Sequence, residues 1–202
     1  MYKYLEVAAA KRRGKDWLGV RDVAMDGCQK YDMTNLPMKG VPDQSLEGIY
    51  SEHFVEHLFK YQTVNFLEEG MRILKSGGVI RTVWPPYDFV GKLISDEPLS
   101  EKEQLFVNHY YPFYVQRHNF APKGSEHKSK REQCALGLLY QNGEHLYVWP
   151  KKEFIEVCKD IGFTKVEEKP YGVSDVQALN NIETPCQIRA AHSAIVEATK
   201  PV

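Results

Sequence analysis

The stretch from Leu46 to Trp84 constrains this chain most. Leu46 to Tyr50 is an apolar run of strand length. In Tyr61 to Lys75 the apolar residues Val64, Leu67, Met71 and Leu74 then recur at the i, i+3, i+7, i+10 spacing of one helix face. Gly77-Gly78 stands where such a helix is expected to end, and Val79 to Trp84 is a further apolar run stopped by Pro85-Pro86. Strand, helix and strand in this order form a crossover unit, which places its two strands parallel in one sheet.

The flanking segments extend that sheet. Tyr2 to Ala10 reads as a strand running into a small-residue loop, Trp17 to Val20 as a second strand, and Cys28 to Met33 as a short third one. The segments 2–7, 17–22, 46–50 and 79–84 are expected as neighbours in one mostly parallel sheet. Ser100-Glu101-Lys102-Glu103 has the form of a capping box, so a helix is expected to start there and to stop before Pro112. Pro150 to Ile161 reads as a helix ended by Gly162, followed by strands over Thr164 to Glu168 and Ser193 to Thr199. The alternation argues for one α/β domain over residues 1–202, with 88–150 as a less regular, aromatic-rich insertion on the substrate side.

Composition narrows the partners. With 26 Lys plus Arg against 27 Asp plus Glu, nothing global attracts a polyanion, so no nucleic acid and no membrane surface is expected. The N-terminal residues lack a signal-peptide core and no apolar run reaches membrane-spanning length, which points to the cytoplasm. Cys28, Cys134, Cys158 and Cys186 lie too far apart for a metal pair or a compact disulfide framework and are expected to be reduced and buried.

Five segments carry a family pattern. They are Leu5 to Ala10, Trp17 to Asp22, Tyr31-Asp32-Met33-Thr34-Asn35-Leu36-Pro37, Ser45 to Leu58, and Leu74-Lys75-Ser76-Gly77-Gly78-Val79-Ile80-Arg81. In their order and spacing the chain resembles the short, type 11 branch of the class I S-adenosylmethionine-dependent methyltransferases. The resemblance implies a Rossmann-like fold with helices on both faces of the sheet and S-adenosylmethionine as cofactor. It implies that Asp22 holds the cofactor's ribose, that Asp32 with Met33 contacts the adenine region, that Glu6 borders the cofactor loop, and that Ser51 to His53 border its methionine end. The physical basis is the general one for open parallel sheets, where ligands lie beyond the carboxyl ends of the strands and a carboxylate after the second strand accepts from ribose hydroxyls.

The chain departs from that family in the cofactor loop. Ala8 and Ala10 stand where glycines let the backbone approach the ligand, and Arg12 occupies the next small position. If either alanine adopts a left-handed conformation, it costs about 1–2 kcal/mol relative to glycine.

Three other motifs compete with this pattern. His53-Phe54-Val55-Glu56-His57 has the H-x-x-E-H form of inverted zinc peptidases, with Glu132 as a conceivable third ligand. Its position after an apolar strand is that of the methyltransferase pattern, so His53 and His57 are expected to hold no metal. Trp84-Pro85-Pro86-Tyr87 is similar to an amino-methyltransferase motif, but Trp84 cannot accept a hydrogen bond from a target nitrogen, and the segment reads as a rigid turn. The aromatics from Phe106 to Phe120 could line a substrate pocket, a core or a homodimer surface.

The expected reaction is methyl transfer to an oxygen or nitrogen of a small-molecule or saccharide acceptor, with His53 or His57 as base and His118 and His127 as further candidates. The competing readings are a non-catalytic binding module of the same fold and a zinc peptidase.

Overall fold

The computed structural model describes residues 2–11, 13–23 and 27–202. Arg12 lies outside the described residues. A seven-stranded sheet has the order β3-β2-β1-β4-β5-β7-β6. Its strands are β1 (Tyr4–Val7), β2 (Trp17–Arg21), β3 (Gln29–Lys30), β4 (Leu46–Glu52), β5 (Leu74–Trp84), β6 (Thr164–Glu168) and β7 (Ala194–Thr199). Adjacent pairs from β3 to β5 run parallel, whereas β7 runs antiparallel to both neighbours. The four strands expected as neighbours are adjacent in the sheet, and the Rossmann-like class expected from the sequence is the one found.

The strand period of two sorts residues onto opposite faces. One face carries Leu5, Leu18, Ile49 and Ile80, which align across four strands. They are buried in a core shared with Phe66 and Leu67 of α1 (Lys60–Ile73) and with Phe154 and Cys158 of α5 (Lys151–Ile161). Both helices are amphipathic and cover this face. α1 ends at Ile73, so Gly77-Gly78 is not its cap but lies within β5, where Gly77 has φ +75° and its amide reaches the carbonyl of Lys200. α5 does stop as expected, on Gly162 at φ +107°.

The opposite face carries a polar row beside apolar residues. Gly19, Glu6, Tyr50, Arg81 and Glu197 form one row across β2, β1, β4, β5 and β7. The segment between β6 and β7 closes over it: Leu179 and Ile182 pack on Tyr50, Val83 and Ile195, and Glu183 is drawn to Arg81. On this side Arg13 binds Glu6 at 2.7 Å and lies over the Tyr50 ring.

A second apolar cluster is built by α2 (Tyr87–Ile94), α3 (Glu101–Tyr110) and α4 (Lys130–Tyr140), with residues of α6 (Gln187–His192) packed against it. The capping box at Ser100 opens α3 as expected. The helical rod does not stop before Pro112 but continues as a widened, π-type turn over Tyr111–Arg117, with Pro112 at the change from the α to the π segment, where the regular hydrogen-bond ladder is interrupted. Among the described residues no helix is long and apolar enough to cross a membrane. All four cysteines are free, Cys134 and Cys158 fully buried with thiol pKa pushed up to about 12 by burial, Cys28 and Cys186 only partly covered.

Candidate functional site

Beyond the carboxyl ends of β4 and β5 lies a cavity of about 260 Å³, walled by residues from the strand ends, α3, the turn after it, α4 and α6. Five of the seven histidines line it: His53, His57, His109, His145 and His192. Tyr110, Tyr114 and Phe120 add aromatic surface, while Phe106 and Tyr110 also belong to the second core, and Arg189 supplies a cation that is held by Glu52 at 2.9 Å. His118 and His127 are not among the lining residues; His118 lies tilted against Phe113.

The chemistry concentrates in the turn that follows β4. His53 leaves the strand with φ +50°, while its amide still bonds to the carbonyl of Val83. A non-glycine residue in the left-handed region carries backbone strain, which tends to persist where a site requires it. The next residues make a 3-10 turn over Val55–His57, not an α-helix. That turn swings Glu56 inward to zero exposure and brings its Oε1 to 3.0 Å from His53 Nδ1. A carboxylate can only accept, so Nδ1 carries a proton, and in the neutral ring Nε2 is left with its lone pair. His53 Nε2 and Glu56 Oε2 are both buried without a hydrogen-bond partner.

The electrostatics follow from the same contacts. Burial by itself would raise the Glu56 carboxyl, but the hydrogen bond from His53 and the fields of His53, His145 and His57 outweigh it and hold the group below the usual carboxylate range. Burial pushes His145 below the ordinary imidazole value against the pull of Glu56. His192 is pushed down to about 3, chiefly by burial and then by His53.

The H-x-x-E-H motif therefore does not take its peptidase form. His53 and His57 do not share a helix face, and His53 is bound by Glu56. Glu132, the conceivable third ligand, closes the capping box of α4 with Ser129. The sequence expectation picked out His53 and His57 but passed over Glu56 as a partner and His145 altogether. The signal for α4, the S-x-x-E spacing of Ser129 and Glu132, was present in the sequence; nothing local marks His145.

The expected cofactor residues lie apart from this cavity. Ala8 directly follows β1 and has φ +58°, so the left-handed turn that favours glycine is made here by alanine. Ala10 is exposed. The connection from Ala8 to Asp16 is nine residues long, and no helix is described in it. Asp22 is exposed one residue beyond β2 and lies 4.0 Å from the Arg21 guanidinium. Asp32 is exposed and accepts from the amide and hydroxyl of Thr34, which hold its carboxyl below the ordinary value. The Met33 side chain belongs to the main core. Ser51 is fully buried on the α1 side of the sheet and bonds Thr82. Glu6 is bound by Arg13, and burial raises its carboxyl despite that partner.

Strand order, the antiparallel β7 and a cavity at the carboxyl edge are the features of the class I S-adenosylmethionine-dependent methyltransferase fold, and solved structures bear this out. A SAM-dependent methyltransferase from Archaeoglobus fulgidus superposes with a TM-score of 0.56 at 14% identity, over 98% of this chain and 86% of that one. A 1,6-didemethyltoxoflavin N1-methyltransferase from Burkholderia thailandensis, solved with its substrate and S-adenosylhomocysteine, gives 0.53 at 13% identity, over 98% and 71%. A chain from the complex of the Haloferax volcanii Trm112 methyltransferase activator with a methyltransferase gives 0.52 at 15%, over 100% and 83%. No family model matches the chain, and no curated protein is significantly similar to it in sequence. The chain has the class I methyltransferase fold.

Proposed function

We propose that this protein is an S-adenosylmethionine-dependent methyltransferase acting on an oxygen or nitrogen of a small molecule, saccharides included, held in the histidine-lined cavity. The observation that carries the reading is the His53–Glu56 pair: an imidazole whose Nδ1 is bound to a buried carboxylate, with Nε2 unpartnered on a residue that lines the cavity.

Two features suit the cofactor that the fold implies. Asp22 offers an exposed carboxylate just past β2, and the backbone at Ala8 makes the tight left-handed turn directly after β1. In this reading Asp22 accepts from ribose hydroxyls, Asp32 borders the adenine, and the loop from Ala8 to Ala10 approaches the remainder. Glu6 acts one step removed, because its carboxylate is spent on Arg13 and holds that side of the loop. The cofactor, when bound, supplies an electrophilic methyl group. His53 Nε2 takes the proton from an acceptor hydroxyl or amine, and Glu56 holds the ring in the required tautomer and stabilises its protonated form. Tyr110 and Tyr114 provide ring faces for a flat or cyclic acceptor. His57, the other expected base, has its Nδ1 turned to the carbonyl of Glu144.

A second reading has its own support. The short connection after β1, in which no helix is found among the described residues, and the alanine in a left-handed conformation favour a module that keeps the fold for binding or interaction without methyl transfer. A thermal-shift titration with S-adenosylhomocysteine separates the two. A ligand of the native state at a hundredfold excess over Kd stabilises by about 2.7 kcal/mol. A shift in the parent that persists in His53→Ala, with methyl transfer lost only in the variant, supports the enzyme. No shift supports the binding module.

A further inference from the structure

Glu56, His57 and His145 each bring one ligand atom to within 4.8 Å of the other two. They come from two parts of the chain: Glu56 and His57 from the turn after β4, His145 from the connection between α4 and α5. Two backbone hydrogen bonds, from the amides of Leu146 and Tyr147 to the carbonyl of Glu56, clamp those segments together.

The protonation pattern is what distinguishes this cluster from a chance grouping. His57 Nδ1 donates to the carbonyl of Glu144 at 3.1 Å, and His145 Nδ1 donates to the carbonyl of Leu138. A carbonyl cannot donate, so both rings carry a proton on Nδ1, and in the neutral ring Nε2 is the lone pair. Metal-bound histidines are held in this way, by an outer partner that fixes tautomer and ring direction. The third donor is the carboxyl of Glu56, which is wholly buried with one oxygen taken by His53 and the other without a partner. A buried carboxylate oxygen without a proton donor is costly unless a cation or water meets it.

We propose that Glu56, His57 and His145 form a binding site for a divalent transition metal, zinc in the first instance. Two imidazoles and a carboxylate are a donor set for zinc and for cobalt, and do not suit calcium or magnesium, which prefer all-oxygen sites. Ligand atoms around a tetrahedral zinc stand about 3.3 Å apart, so the side chains would draw together, and the part-exposed His57 has the freedom to do so. Three protein donors leave a fourth position, and since His57 and His145 both line the cavity, a water or an acceptor oxygen could take it. This departs from the expectation that the motif's histidines hold no metal. The geometry is not the peptidase one, because His53 supports Glu56 instead of ligating. The site does not depend on the methyltransferase reading.

The test is metal binding by the full-length chain, stripped with a chelator and dialysed against zinc or cobalt. One equivalent per chain is expected, with the visible absorption of low-coordinate cobalt. His57→Ala and Glu56→Gln should each weaken binding at least tenfold, and His127→Ala, at an exposed residue outside the cavity lining, should not change it. His145→Gln provides a third probe if either variant fails to fold. Binding well below one equivalent, or binding indifferent to His57→Ala and Glu56→Gln, would overturn the site. Both results are read without S-adenosylhomocysteine, so they stand apart from the outcome for the cofactor.

Discussion

Arg81 on β5 and Glu197 on β7 are direct cross-strand partners, joined by a 2.7 Å bond from Nη1 although 116 residues separate them in sequence. Arg81 also donates from Nε to Glu183 at 2.6 Å and from Nη1 to the carbonyl of Val173. The guanidinium is fully buried and ties the segment after β6 to the polar face of the sheet. Removing it strands two buried carboxylates. Arg81→Ala is therefore expected to lose about 3–5 kcal/mol of stability, read as a lowered urea midpoint. A loss below 1 kcal/mol would show that the carboxylates find water.

His192 predicts a pH dependence. Its ring is buried between Phe106 and His53, and its pKa falls to about 3 against an ordinary 6.5. Between those values the unfolded chain binds the proton and the folded chain does not, so stability falls as pH is lowered through the window and is restored above it. The contribution approaches about 1.4 kcal/mol per pH unit. His192→Phe, which keeps a ring among Phe89 and Phe106, should flatten the slope of unfolding free energy between pH 6 and 4 on the order of that amount. Equal slopes in parent and variant would contradict the burial.

The cofactor loop allows a paired test in which two variants move in opposite directions. Asp22→Ala removes an ionised acceptor from the ribose hydroxyls and should weaken S-adenosylhomocysteine by roughly one to two powers of ten. Ala8→Gly relieves the left-handed conformation at φ +58° and should tighten binding and raise stability by up to about 1 kcal/mol, the gain reduced by the freer unfolded chain. Calorimetric titration measures both. Unchanged affinity in Asp22→Ala, with binding in the parent, would place the cofactor elsewhere.

The capping box of α4 supports the cavity wall at a distance. Ser129 Oγ accepts from the amide of Glu132, and Glu132 Oε2 accepts from the amide of Ser129. Loss of such a cap costs about 1 kcal/mol. Ser129→Ala should show that loss in denaturation. It should also loosen the Leu138 carbonyl that holds His145, seen as faster amide exchange through α4.

The framework of this protein is local information. Leu5, Leu18, Ile49 and Ile80 stand in short apolar runs whose strand character needs no distant partner to be recognised, and the helix period of α1 and the glycine stop of α5 are equally local. The motif order from Leu5 to Arg81 carried the fold class because the spacing of strands and turns is set by the chain itself. The site is of another kind. His53 and Glu56 are three residues apart, but only the tertiary structure turned them into a pair, because a left-handed residue followed by a 3-10 turn aims both side chains at one point where a regular helix would have placed His53 beside His57. His145 and His192 are far from that turn in sequence: His145 meets His57 across 88 positions and His192 meets His53 across 139. No periodicity or spacing encodes such meetings, since they depend on how α4 and α6 pack at the end of the sheet. Propensity and pattern act over a few residues, whereas burial and the pairing of buried charge are decided only when the whole chain has closed.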